Sequence, residues 1–493
     1  MPRAEVRSTQ FDFRGGLNSN FSEDVLNENE LRNMQNARAK LGDLEKRAGT
    51  QRLHTTVLGS GAPVCGVYQW DAPLGKQLVA IAGGNFYHKL AAAANYTQIA
   101  STLTTTDRAT FTPYRIGGNV KLLIADKALR TWDGTTLVTA IAGAPAADRA
   151  IIYKLRAFAI DGTKTMSFSK IGDPTLWSVA NGGGTIDIET YDDAQNMALM
   201  VLGSSLLIAK RNNVARFTGV DTSNIRVDVE TEGVSGEVGC IAPNTFVRFD
   251  EYGFMLSDRG PYIVTEAGVK EIGLKVAKGF DFGDRSLWQS AQATHNRRRK
   301  EIWLTCGAPS DADTVNKYVW IYNYTTSTWS GPFLFSWPGV ITLGRYQRTD
   351  DTESIQIGGQ DGYVRDGDVE EVGSVDDVLK DGTGGSSVTM DVQLPDVTAG
   401  APERVKSMRG KNELVADLGA AAGEASAVTA YWTSELGSGS VPLVTLGAGV
   451  RTYRYKLSAK GARIVHGFTS ASKRMIRILG VLPKSKISRG VRS

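Results

Sequence analysis

The sequence predicts an all-β chain: a β-propeller of six blades, with seven as the alternative, followed by a C-terminal β-sandwich-like domain. Three observations lead there. Glycine supplies 54 of 493 residues, well above the usual ~7%, as a fold with many tight turns requires. The apolar residues fall in short β-rich runs bounded by Gly, Asp and Asn rather than at helical spacing. Finally, a strand–turn–strand unit recurs along the chain at a period suited to propeller blades.

Residues 1–50 read as an N-terminal arm. FDFRGGLNSNF is rich in turn formers, and SEDVLNENELRNMQNARAKL predicts a short helix from Glu28 onward. GDLEKRAGTQRL then reads as a turn entering a strand, one that completes the first or last blade.

Residues 51–370 carry the repeats. KQLVAIAGGNFYHKL, NVKLLIADKALRTWDG, RAIIYKLRAFAIDGTKTMSFSK, NMALMVLGSSLLIAKRNNVARFTG, TFVRFDEYGFMLSDRGPYIVTEAG, KYVWIYNYTTSTWSG and ESIQIGGQDGYVRDGD mostly pair an apolar strand, a Gly, Asn or Asp turn and a return strand. Taking Tyr87, Trp132, Phe168, Phe217, Ile263, Tyr322 and Tyr363 as equivalent strand ends gives a mean spacing of about 46 residues, room for four short strands per blade. One such blade cannot bury its own faces, so several must close into a circle.

Residues 371–390 read as an extended connector with a solvated acidic face, and residues 391–493 as a basic β unit of about six strands. The charge balance marks the boundary. Residues 401–493 hold 16 Lys and Arg against five Asp and Glu, a net of +11, which leaves −7 for the first 400. An acidic stretch, Asp350 to Gly400, with its carboxylates concentrated between Asp350 and Asp377, precedes those basic residues.

The chemistry-bearing residues are sparse. Cys65, Cys240 and Cys306 are odd in number and far apart, and His54, His88, His295 and His466 show no ligand spacing, so buried thiols are expected and neither a metal nor a cofactor is. GGGTIDIE and GTGGSS lack the order of a phosphate loop and read as turns. Acidic pairs such as Asp192–Asp193 or Glu230–Glu232 are the nearest thing to a glycosidase site, but catalysis needs a set separation across a cleft; the chain is expected not to be an enzyme. Trp177, Trp329 and Trp337 are the aromatics a glycan-binding face would use. Arg297, Arg298, Arg299 and Lys300 place four cations at one hairpin turn, suited to sequence-independent contact with nucleic-acid phosphates, to an acidic neighbouring subunit or to a solvated turn. No stretch approaches the ~20 apolar residues of a bilayer span, and the start lacks a signal-peptide core. Synthesis in the cytoplasm is the expectation.

The arm also carries a family resemblance. Phe13-Arg14-Gly15-Gly16-Leu17-Asn18, Leu26, Asn29-Glu30, Gln35-Asn36-Ala37 and Gly42-Asp43-Leu44-Glu45-Lys46-Arg47-Ala48-Gly49 resemble the opening of short-tailed bacteriophage tail nozzle, tail tubular or packaged-DNA stabilisation proteins. About fifty residues carry it, and the C-terminal unit has no matching motif. The resemblance implies a virion tail protein, a hexameric ring below the portal and adaptor that forms part of the DNA-ejection channel and helps retain the genome. Its implied partners are further copies of itself, the head-to-tail connector, tail fibre, spike or needle proteins, and genomic DNA. In physical terms, Gly15 and Gly16 permit close backbone approach, and Phe13, Leu17, Asn18 and Leu44 are positioned to dock the arm on the propeller or on a neighbour. A receptor- or polysaccharide-binding propeller, or a propeller glycosidase, is the alternative.

Overall fold

The computed structural model describes residues 12–489 apart from 22–25, 28, 73–74, 91, 137–139, 221–223, 230–232, 282–284, 310–312, 381, 396–405, 419–425, 446–448, 462–463 and 483–484. Its body is a ring of seven four-stranded antiparallel sheets among the described residues. Blades 1 to 6 take their strands consecutively, with innermost strands at Val64–Ala72, Thr110–Ile116, Arg149–Tyr153, Asn196–Leu202, Val247–Phe249 and Gln292–Asn296. Each third strand holds the expected aromatic or branched residue: Tyr87, Trp132, Phe168, Phe217, Ile263 and Tyr322.

Blade 7 is different. It contains Val340–Gln347, Glu353–Gly359 and Val364–Val369, and its outermost strand is Gly49–Arg52, from the other end of the propeller sequence. The six-blade expectation is therefore corrected to its alternative of seven, because the last blade borrows its fourth strand from before the first. The segment GDLEKRAGTQRL thus supplies the strand that completes the last blade, but as Gly49–Arg52 and not as the residues directly after Gly42: Asp43–Lys46 pairs instead with Ile476–Leu482. Gly49 must be glycine here, since a Cβ would lie 1.9 Å from the Val375 carbonyl oxygen.

Buried apolar side chains fill the spaces between blades. Trp70, Phe86 and Trp132 pack together between blades 1 and 2, Phe158 and Phe217 between blades 3 and 4, and Trp303, Phe333 and Trp337 between blades 6 and 7. Such inter-blade burial is what stabilises the ring.

After blade 7 come two facing sheets. One is ordered Asn33–Gln35, Met390–Gln393, Ile464–Ser470, Ser426–Ser434, Gly437–Thr445; the other Ala37–Lys40, Asp43–Lys46, Ile476–Leu482, Lys406–Leu418, Gly449–Gly461, with Ser485–Arg489 also on Lys406–Leu418. Met390, Val392, Val428 and Phe468 of the first sheet and Leu414, Ala416, Tyr455 and Ile478 of the second share one buried cluster. Gly437–Thr445 was not among the expected strands; its Gly, Ser and Pro content is tolerated because it is an edge.

The arm contributes a strand to the first sheet and a hairpin to the second. The expected helix is thus absent from the described part of its span, where Glu30–Leu31, Asn33–Gln35 and Ala37–Lys40 are strands; Glu28 lies outside the described residues. The connector is corrected too. Ser374, Val375, Asp376 and Val378 are buried, and Val375–Asp376 pairs with Ser386–Ser387 against the closing strand.

Candidate functional site

Three places concentrate the chemistry of the chain: the arm junction, the cation turn and the axis of the ring.

At the junction the arm lies along the outermost strand of blade 6, Thr328–Leu334. Phe13, Leu17, Leu31 and Leu44 are buried in one cluster with Val276, Phe280 and Trp329 of the propeller and with Val392 and Ile478 of the C-terminal sheets. Gly16 has φ +65°, and a Cβ on it would meet the Trp329 carbonyl oxygen at 2.8 Å; one on Gly15 would meet Glu30 and Asn29 at 2.6–2.7 Å. The glycine doublet therefore allows the chain to pass against two backbones at once. Asn18 donates to Glu30 at 2.9 Å, and Lys275 pairs with the same carboxylate at 2.8 Å. Burial alone would raise the Glu30 pKa, but Lys275, the Asn27 amide and Asn18 outweigh it and hold the carboxyl low.

Asn36 takes a left-handed φ of +54°, which Asn adopts more readily than most residues. Its amide nitrogen donates to the Thr389 carbonyl at 2.7 Å, while its side-chain oxygen accepts from the Leu334 amide at 2.7 Å and from Arg47 at 2.9 Å. Arg47, fully buried, forks onto Asp376 and donates to the Leu334 carbonyl. Propeller, connector and C-terminal sheets thus meet around two motif residues. Phe13, Gly15, Gly16, Leu17, Asn18 and Leu44 all dock within their own chain.

The cation turn joins the two inner strands of blade 6 and is divided in use. The Arg299 side chain is 8% exposed and lies 2.6 Å from Asp368 and 2.5 Å from Glu370. Asp368 also receives Arg38 of the arm, which pairs with Glu301 at 2.8 Å. Burial would raise Asp368, but Arg38 and Arg299 hold it below the usual carboxylate range. Arg298 and Lys300 are half-exposed, at 3.5 Å from Glu370 and 3.6 Å from Asp250. Arg297 lines the mouth of the axial cavity, where its backbone amide donates to Glu353.

Part of the acidic stretch is engaged with arginines: Asp361 and Asp377 hold Arg365, Asp377 also holds Arg52, and Asp366 holds Arg348, while Asp350, Asp351 and Glu371 are exposed. Sequence reasoning missed Arg38, Arg47 and these partners. The signal available was the coincidence of an acidic run with arginines clustered in the arm.

Trp177, Trp329 and Trp337 are buried, so none offers a glycan-stacking face. Asp192 is held by Thr190 and Asn212, and Asp193 by Lys164; Glu230 and Glu232 lie outside the described residues. Of the C-terminal cations, Arg474 is buried and Arg477 approaches Asp43, while Lys484 and Arg492 are outside the described residues. Cys65, Cys240 and Cys306 are buried thiols. No helix among the described residues is long and apolar enough to cross a membrane.

Along the axis runs a cavity of about 640 Å³, walled by inner strands of the ring. The fold and these sites define a seven-bladed β-propeller latched to a β-sandwich by its N-terminal arm. No family model and no curated protein matches the chain. Among solved structures it is similar to the WD40 beta propeller domain of Doa1 (11% identity, TM-score 0.39, covering 64% of this chain and 96% of that one). It is also similar to the N-terminal domain of Nup159 (12%, TM-score 0.37, 65% and 95%) and to a chain of the Mitotic Checkpoint Complex (12%, TM-score 0.37, 64% and 93%).

Proposed function

We propose that this chain is a non-catalytic component of a short-tailed phage tail, a ring-forming nozzle or hub below the portal and adaptor that lines part of the DNA-ejection channel and helps retain the genome. The observation that carries this reading is the arm. The stretch from Phe13 to Gly49 that resembles the family's opening also spends its residues joining propeller, connector and C-terminal sheets, an arrangement suited to a part that transmits load. The +11 charge of the last 93 residues suits a neighbour of packed DNA.

Light scattering and electron microscopy of the purified chain, alone and with the connector proteins, test the assembly. Rings of about six copies, or rings formed only on the connector, are expected from the family resemblance; a monomer or trimer indifferent to the connector would move the reading to a receptor- or polysaccharide-binding propeller. Within the cation turn, Arg297→Gln with Arg298→Gln is expected to impair genome retention or ejection while leaving the fold intact. Arg299→Gln should act through stability instead. Normal infectivity and genome content in the double variant would remove the DNA role from this turn.

A further inference from the structure

Where the axial cavity meets a second cavity beside it, two guanidinium groups lie close together, Arg149 in the wall of both cavities and Arg108 in the wall of the second, and neither forms an ion pair with a carboxylate among the described residues. Arg149 donates to the Met197 carbonyl at 3.1 Å and to Asn244 Oδ1 at 2.7 Å. Arg108 donates to the Ser290 carbonyl. With the Gln292 amide turned so that its oxygen accepts, that oxygen receives Arg108 Nη1 at 2.9 Å, Arg108 Nε at 3.2 Å and Asn244 Nδ2 at 2.9 Å. Two amides therefore bridge the cations across the ring, Arg149 of blade 3 reaching Asn244 before blade 5, and Arg108 before blade 2 reaching Gln292 of blade 6.

Every hydrogen-bond acceptor of these two guanidinium groups among the described residues is neutral, and Nη2 of both has no acceptor among them. A second cavity of about 430 Å³ opens beside the first, and the two share Arg149, Pro243 and Asn244 in their walls. Asp107 and Asp148 lie at its edge, but Asp148 is paired with Lys127 at 2.7 Å. Burial pushes both arginines down to about 10, against the opposing attraction of Cys65 on Arg108 and of Cys240 and Asp148 on Arg149, and both stay charged at neutral pH.

The three most deeply buried arginines are matched to carboxylates: Arg38 to Asp368, Arg47 to Asp376, Arg365 to Asp361. Two that are bridged only by amides, with donors turned to a cavity, are arranged for an acceptor brought from outside. We propose that the second cavity, at the Arg108–Arg149 wall where it meets the axial one, binds a small oxyanion of the phosphate class, either free or as the phosphoryl group of a small molecule. The fork geometry of arginine suits it, and the cavity volume excludes a DNA duplex.

The test is titration of the whole chain with inorganic phosphate, pyrophosphate and adenosine triphosphate, by calorimetry and thermal shift in an oxyanion-free buffer. Saturable binding at millimolar concentration or below is expected. Preference for phosphate or pyrophosphate identifies the free anion, and preference for the nucleotide a phosphoryl-bearing molecule. Arg108→Gln and Arg149→Gln should each weaken binding at least ~10-fold, and Arg149→Lys should recover it only in part because the fork is lost. In the unmodified chain, phosphate should protect both arginines from phenylglyoxal, a readout independent of how the variants fold. Absence of binding by all three anions, unchanged affinity in the glutamine variants, or absence of protection would each overturn the site and leave the cluster a plug that braces the ring.

Discussion

A guanidinium buried as deeply as that of Arg47 loses its water, and the fork to Asp376, the Leu334 carbonyl and the Asn36 amide offset that loss. Removing one partner leaves the other charge stranded. Arg47→Met is expected to cost about 3–5 kcal/mol by denaturant unfolding, with Asp376→Asn in the same chain recovering part of it; a cost below 1 kcal/mol would mean that Asp376 finds water. His54 gives a pH dependence. Its Nδ1 meets the Thr56 carbonyl at 2.7 Å and its Nε2 accepts from the Val364 amide at 2.8 Å, so the ring is neutral and pins the closing strand's exit. Burial pushes its pKa to about 4, and those of His295 and His466 likewise. Because the folded values lie below the unfolded ones near 6.5, the unfolded chain takes up protons that the folded chain refuses. Stability is full above pH 6.5 and is lost as pH falls towards 4, by up to about 3 kcal/mol per histidine. Melting curves across that window should show a shallower slope for His54→Gln, and an unchanged slope would remove His54 from the account.

Individual elements explain what the sequence could and could not disclose. The strand ends from Tyr87 to Tyr322 repeat because each blade is built from neighbouring residues, so the period is written locally. Blade 7 breaks the count since Gly49–Arg52 stands some 290 residues before Val340. The arm's strands were illegible for a related reason: Asn33–Gln35 and the hairpin of Ala37–Lys40 and Asp43–Lys46 join sheets whose other strands lie more than 350 residues away, and NENELRNMQNARAKL taken alone has the polar, unbranched composition of a helix. The Gly15–Gly16 approach was readable, whereas the Arg47–Asp376 pair was not, since an acidic run resembles a solvated one until the fold brings arginines to it. The closing strand can be tested directly. Gly49→Ala drives a Cβ into the Val375 carbonyl and is expected to lower stability by at least ~2 kcal/mol. Gly117→Ala, with φ +53° but nothing within 4 Å, should cost only about 1 kcal/mol, the price of a left-handed alanine. Equal losses in thermal melts would show that contact at Gly49 is relieved by movement of the connector.

The whole molecule is tied at three levels by one stretch of chain: the arm covers blade 6, edges both C-terminal sheets, and closes blade 7. Ring and sandwich should therefore unfold together, and calorimetry is expected to give one transition rather than two; two well-separated peaks would show that the arm releases one body before the other. The latch also has a consequence in time. During translation the arm emerges first, yet Val364–Val369 appears more than 300 residues later and Ile476–Leu482 more than 100 after that. At about 5–20 residues per second, the arm waits roughly 20 to 90 s for its last partner, with strand edges that any other nascent chain could occupy. Chains stalled before residue 476 can form most blades but cannot seat the Asp43–Lys46 strand on Ile476–Leu482, so the latch stays unlocked until that strand has been made.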